Sequence, residues 1–348
     1  METQSKTPSP LLVTGATGYL ASHLIKILLE KGYKVRGTVR SLAKKEKYEF
    51  LYSLVPEKKN NLELVEADLT DKASWPRVIE GVEYVFHIAS PISASVPKDE
   101  MEIITPAVEG TLNVLEAAVE KKVKKVIVTS SCLAIFLGNN GKLCTEDDWG
   151  NEAIAKPYPK SKILAEKAAW DFYEKNKDKI DITVVNPALI LGPQFTKHGN
   201  SSETLIAEML RGVYPGVMNV GLCFVDVRDA AEAHYKAMFT PGTTGKRYIC
   251  TSGVFKIEEI VGALKSEFEK YGYKINDKKV TAEEVKASGV EVAQIHVPLI
   301  NNDLRLNNER GIKELGLKYH TLKEMVVDMG YSLIKQGVVE DKTGRKKN

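Results

Sequence analysis

The sequence predicts an α/β protein, a doubly wound parallel sheet with helices on both faces and a smaller C-terminal lobe. Three observations carry this reading. Short apolar runs alternate with stretches of helical period from Leu11 to Asn186. A glycine-rich turn, Thr14-Gly15-Ala16-Thr17-Gly18, separates the first strand from the first helix. The chain of 348 residues exceeds what one compact layer needs.

The elements follow in order. Leu11 to Thr14 reads as a short buried strand, and Tyr19 to Lys31 as a helix with Leu20, Leu24, Ile27 and Leu28 on one face. Lys34 to Val39, Leu62 to Glu66 and Tyr84 to Ile88 read as the next three strands. A helix over Thr105 to Lys121 precedes a strand over Val123 to Ser130. A helix over Ser161 to Lys175 precedes a strand over Ile182 to Asn186. After Pro187 the rhythm loosens. Helical stretches at Glu203 to Arg211, Ile257 to Tyr271 and Leu315 to Gln336 accompany a strand at Tyr248 to Thr251. The predicted organisation is a nucleotide-binding domain over 9–190 with returns near 222–252, and a substrate lobe over 191–221 and 253–340. A charged, disordered tail over 341–348 completes it.

Composition narrows the class. The 43% hydrophobic and 27% charged content suits a globular protein with a sizeable core. A net charge of +3 calls for neither a nucleic-acid nor a membrane partner. Cys132, Cys144, Cys223 and Cys250 lack C-x-x-C spacing, and the six histidines form no ligand pattern, so no metal site is expected. Scattered cysteines suit reduced thiols in the cytoplasm. The polar N-terminus has no apolar signal core, and Val126 to Asn140 is too short and polar to span a bilayer. A monomer or homodimer is expected.

The glycine turn is the first chemical signal. Gly15 permits a tight turn, Gly18 admits a pyrophosphate to the backbone, and small Ala21 permits close packing. The helix that opens at Tyr19 and Leu20 offers free N–H groups and a positive dipole end, and Thr17 lies in the turn. The second strand ends at Arg40, with Lys44, Lys45 and Lys47 nearby and no acid between Glu30 and Glu46. An acid there binds the ribose 2′-hydroxyl of NAD, whereas a basic set suits the 2′-phosphate of NADP. Asp68, before Leu69, faces two uses, the adenine amino group or a helix cap. Ala89 and Ser90, after the fourth strand, are placed to line the ribose. His87 reads as a packed or exposed structural residue rather than a catalyst.

Tyr158 and Lys162 form the second signal. Their i,i+4 spacing puts both on one helix face, where an ammonium lowers a phenol's pKa toward working pH. Pro159 restricts the geometry, because proline is tolerated only in a first turn, so the helix is expected to begin at about Pro159. Ser130 and Ser131 end a strand at the edge where such sheets bind ligands, and either hydroxyl suits a developing alkoxide. A strand-Ser, Tyr-x-x-x-Lys order on a nucleotide fold points to carbonyl chemistry.

Taken together, Val13 to Tyr19, Val35 to Arg40, Val85 to Pro91, Lys160 to Trp170 and Phe224 to Asp229 resemble the extended short-chain dehydrogenase/reductase superfamily, in its dihydroflavonol reductase and cinnamoyl-CoA reductase branch. The resemblance implies a Rossmann fold and NADPH-dependent reduction of an aldehyde or ketone. It implies Ser131 as the catalytic serine, Tyr158 as acid, Lys162 as its activator and Arg40 as the 2′-phosphate ligand. Pro187, Ala188 and Leu189 match its loop past the nicotinamide. Two other readings use the same residues: an NAD-dependent sugar-nucleotide epimerase or dehydratase, and a non-catalytic NADP-sensing binding protein.

Overall fold

The computed structural model describes residues 9–91, 99–197 and 201–344. Seven parallel strands form the main sheet. Five are β1 (Leu11–Val13), β2 (Val35–Val39), β3 (Leu62–Glu66), β4 (Tyr84–His87) and β5 (Lys125–Thr129). The strands Asp181–Pro187 and Arg247–Cys250 complete it. From one edge the order is Arg247–Cys250, Asp181–Pro187, β5, β4, β1, β2, β3. The order reverses between β1 and β4, so a crevice opens there at the carboxyl ends of the strands.

Alternate residues of each strand feed opposite faces. Leu11, Val13, Phe86, Ile127 and Val185 pack on one side with Leu20, Leu24, Ile25 and Leu28 of helix α1 (Tyr19–Glu30) and Ala230, Ala233 and Ala237 of the helix Val227–Phe239. Leu12, Val85, Val126, Val128 and Val184 pack on the other with Val114, Leu115 and Ala118 of the helix Met101–Glu120 and Ala169 of the helix Pro157–Asn176. Ile27, expected on the buried face of α1, is only partly buried. The lobe has its own core. Leu205, Ile206, Met209 and Leu210 meet Ile260, Leu264 and Phe268, and Met325, Met329 and Leu333 close over them.

Several boundaries differ from the sequence reading. The helix expected from Thr105 starts a turn earlier at Met101, with Pro106 inside it. A proline marks a first turn locally, but the helix tolerates it one turn further in. The single helix expected over Leu315 to Gln336 is two, Glu309–Leu315 and Leu322–Lys335. Gly316 at φ +60° stops the first, and Thr321 with Glu324 caps the second. Of the returns near 222–252, Arg247–Cys250 joins the main sheet. Gly221–Asp226 instead pairs with Leu189–Leu191 and Gly253–Lys256 in a three-stranded sheet. In the tail, Lys342 N–H donates to the Tyr273 hydroxyl at 3.1 Å, and 345–348 lie outside the described residues. Among the described residues no helix is long and apolar enough to cross a membrane.

Candidate active site

The glycine turn is fixed from two sides. Gly15 sits at φ +67°, and a Cβ there would stand 3.0 Å from the Ala89 Cβ. Its N–H donates to the Thr38 hydroxyl at 2.9 Å, which ties the turn to β2. Thr14 ties it to β4. The Thr14 hydroxyl oxygen accepts the N–H groups of Ile88 and Ala89, both at 2.9 Å, and lies 3.2 Å from His87 Nδ1. With both N–H groups accepted, the hydroxyl proton goes to Nδ1, so that nitrogen carries none. Burial and Lys162 push the His87 pKa down to about 3, and the imidazole is a neutral structural member, as expected.

Gly18 caps α1 and is exposed, and a Cβ there would meet the Gly15 carbonyl at 3.1 Å. The first intrahelical bond is Ser22 N–H to Gly18 O at 2.9 Å, so the N–H groups of Tyr19, Leu20 and Ala21 precede the ladder. Thr17 is half-buried beside them. The side chains of Tyr19 and Leu20 are used elsewhere. The Tyr19 hydroxyl donates to Gly192 O at 2.6 Å, and Leu20 lies in the core. Arg40 and Lys44 are exposed beyond β2, where Glu66 accepts Leu42 N–H at 2.7 Å. Asp68 caps its own turn, accepting Thr70 N–H at 2.9 Å and the Thr70 hydroxyl at 2.7 Å. These bonds, with Arg40 adding to them, hold its carboxyl below its usual value. Leu69 O accepts from Asn113 at 2.9 Å.

Across the crevice stands the second group. His87, Ala89, Ser90, Thr129, Ser130 and Lys162 line one narrow cleft, so the structure brings the ends of β4 and β5 to Lys162. Ser131, next in the chain to Ser130, and Tyr158 are half-buried and are not among the residues that line the cleft. The helix that carries Tyr158 begins at Pro157, not Pro159, so Tyr158 lies within the first turn. Three first-turn residues lack intrahelical N–H bonds in any helix, so the two prolines remove nothing there. Lys162 Nζ stands 5.9 Å from the Tyr158 ring centroid. The expected lowering of the Tyr158 phenol is absent. Burial pushes it up, and the same burial pushes Lys162 down to about 8 against the opposing pull of Glu166. A phenol held neutral is the form that can donate a proton.

The two serines are now distinguishable. The Ser130 hydroxyl donates to Glu166 at 2.5 Å, whereas the Ser131 Oγ accepts Leu133 N–H at 3.2 Å and donates to no group among the described residues. Pro187 is buried at its strand end, with its carbonyl on Cys132 N–H at 2.9 Å, and Leu189 is half-buried at the start of the small sheet. Tyr214 and Met218 belong to the lobe core, and Phe195 stacks on His23 at 4.2 Å. Sequence reasoning missed Thr38, Asn186 and Glu166. Only Glu166 carried a local signal, at i+4 from Lys162 on the same helix face.

A parallel sheet whose strand order reverses between β1 and β4, with a glycine turn at the end of β1, defines a Rossmann-type α/β protein. Residues 11–250 match the NAD dependent epimerase/dehydratase family, and the chain belongs to that family. It is 34% identical over 332 residues to cinnamoyl-CoA reductase 1 of Petunia hybrida, across 93% of this chain and 92% of that one. It is 37% identical over 278 residues to anthocyanidin reductase of Arabidopsis thaliana, across 74% and 80%. Among solved structures, yeast methylglyoxal/isovaleraldehyde reductase Gre2, complexed with NADPH, superposes with a TM-score of 0.78 at 27% identity, covering 94% of this chain and 99% of that one. The resemblance to the reductase branch of the extended short-chain superfamily is thus borne out.

Proposed function

We propose that this chain is an NADPH-dependent carbonyl reductase that converts an aldehyde or ketone to an alcohol. The observation that carries the reading is the meeting of Lys162 with the ends of β4 and β5 in one cleft, with the Tyr158 ring centroid 5.9 Å from Lys162 Nζ and Ser131 following Ser130 in the chain. The residues suit the cofactor. The wall at Gly15 is too close for a side chain, and exposed Gly18 opens the first turn of α1 to a pyrophosphate. Thr17 and the N–H groups of Tyr19 and Leu20 complete that cradle. Arg40 and Lys44 would meet the 2′-phosphate. Asp68 and Leu69 would border the adenine, Ala89 and Ser90 the ribose, and Pro187 and Leu189 the nicotinamide. Bound NADPH would supply the hydride.

The chain's own residues would do the rest. The Ser131 hydroxyl would hold the carbonyl oxygen, and Tyr158 would give its phenolic proton to that oxygen as charge develops. Lys162, charged below about pH 8, would stabilise the tyrosinate so formed until solvent returns the proton. The relative titled a methylglyoxal/isovaleraldehyde reductase makes those two aldehydes sensible first probes. Purified protein should oxidise NADPH with one of them or with an aromatic aldehyde, and Tyr158→Phe should lose at least about a hundredfold in kcat/KM. Full turnover in Tyr158→Phe refutes the reading. Protein purified with tightly bound NAD would instead support the epimerase alternative, against which the basic residues after β2 argue.

A further inference from the structure

Beneath the proposed catalytic group lies a carboxylate that the reduction does not consume. Glu166 is 1% exposed. Its Oε1 accepts Arg247 Nε at 2.6 Å and Trp170 Nε1 at 3.2 Å. Its Oε2 accepts the Ser130 hydroxyl at 2.5 Å and Asn186 Nδ2 at 2.7 Å. These donors come from the end of β5, from the strand Asp181–Pro187, from the edge strand Arg247–Cys250 and from the helix itself. Asn186 Nδ2 also reaches the Ser131 carbonyl at 3.2 Å. Arg247 Nη1 holds the carbonyls of Glu146 and Asp148 at 2.9 and 2.7 Å, and its guanidinium stacks 4.0 Å from the Trp149 ring.

We propose that Glu166 and Arg247 form a buried positioning pair that locks Ser131 and Lys162 to one frame and keeps Lys162 in its working charge state. The proposal rests on the Ser131, Tyr158, Lys162 reading above. A carboxylate and a guanidinium taken wholly out of water cost more than an apolar pair of the same volume would. The cost here falls one helical turn from Lys162, where a fixed negative charge has a use. Among the described residues, the groups that face Lys162 are few. Glu166 and Tyr158 come from its own helix and His87 from β4, with Arg247 behind Glu166. The helix Met101–Glu120 contributes Thr111 to the cleft, and β5 with Ser130 contributes Val128 and the hydroxyls of Thr129 and Ser130, with no charged group. Burial opposes the lysine's proton and Glu166 supports it. Arg247 offsets part of that support by pairing with the same carboxylate.

The two partners therefore act with opposite sign, which a merely structural pair would not. The test is the pH profile of NADPH oxidation by the full chain with isovaleraldehyde, or whichever probe aldehyde the wild type accepts. The wild type should lose kcat/KM as pH rises through about 8. Glu166→Gln should move that limb about one pH unit lower, and Arg247→Met should move it higher. The double variant, with both charges gone and the amide still able to bond, should return the limb toward the wild type, and it serves if either single variant fails to fold. Limbs that do not move, that move together, or a double variant displaced as far as a single one overturn the pair's role. Tyr158→Phe is run beside them. If it turns over normally, the catalytic reading has failed; if it is dead while the limbs stay fixed, only the present inference has.

Discussion

Replacing Gly15 by alanine tests the cofactor wall with a magnitude that the geometry sets. At φ +67° an alanine costs about 1–2 kcal/mol relative to glycine. Its Cβ would also stand 3.0 Å from the Ala89 Cβ and 3.3 Å from the Ala89 Cα, closer than such atoms pack. Relieving that contact means moving backbone, for about 1 kcal/mol more. The lost freedom of the unfolded chain returns about 0.4–1 kcal/mol. The net cost is about 1–2.6 kcal/mol. Because the turn can only relax away from β4, the cost should fall on the bound geometry, weakening NADPH roughly tenfold. Gly32→Ala is the control. It has φ +83° with nothing within 4 Å of the added methyl, and it lies at the far end of α1. It should lower the melting temperature less, having no contact to relieve, and leave NADPH affinity unchanged. Titration of NADPH fluorescence with thermal melts on both variants decides the matter. Equal affinities for Gly15→Ala and wild type would refute the reasoning.

Three further outcomes are expected. Arg40→Ala should raise the KM for NADPH about tenfold or more while leaving that for NADH nearly unchanged, since only the former carries the phosphate; steady-state kinetics with both cofactors read this. Ser131→Ala should cost about a hundredfold in kcat with little change in NADPH affinity, whereas Ser130→Ala should chiefly lower stability by stripping a donor from Glu166. The third concerns acid. His234 is fully buried, its Nδ1 on Ala230 O at 2.7 Å and its Nε2 at 2.8 Å from the Thr129 hydroxyl, and burial pushes its pKa down to about 4 from 6.5. Nδ1 must donate to that carbonyl, so Nε2 accepts and the ring is neutral. Between these values the unfolded chain binds the extra proton. Stability should therefore fall as pH drops from about 6.5 to about 4, by up to about 3 kcal/mol from this group, and His234→Gln should flatten that part of the melting-temperature profile.

How much of this was legible in the sequence depended on whether a contact was local. The strands of the main sheet and three of its helices announce themselves through runs of buried residues and one glycine turn, whereas the helix Val227–Phe239, which packs on the same sheet, was not read. The small sheet did not, because Leu189–Leu191 and Gly253–Lys256 are three and four residues long and gain strand character only by pairing with Gly221–Asp226. The last helix read as continuous because apolar period runs across Gly316, whose positive φ the period does not reveal. In the site, Tyr158 and Lys162 were readable from their spacing, but the direction of the phenol's shift was not, since burial outweighs the ammonium. Ser130 and Ser131 are adjacent and alike. Only the Glu166 bond separates them, and three of its four donors lie 20, 36 and 81 residues away.

The central claim is hydride transfer from NADPH to a carbonyl, with Tyr158 giving the proton. The most direct measurement incubates purified protein with NADPH and isovaleraldehyde, methylglyoxal or an aromatic aldehyde, and quantifies NADPH lost against alcohol formed, for wild type and Tyr158→Phe. The account predicts one alcohol per NADPH for the wild type and almost none for the variant. Equal turnover by both, or NADPH bound but never oxidised across the panel, would contradict it.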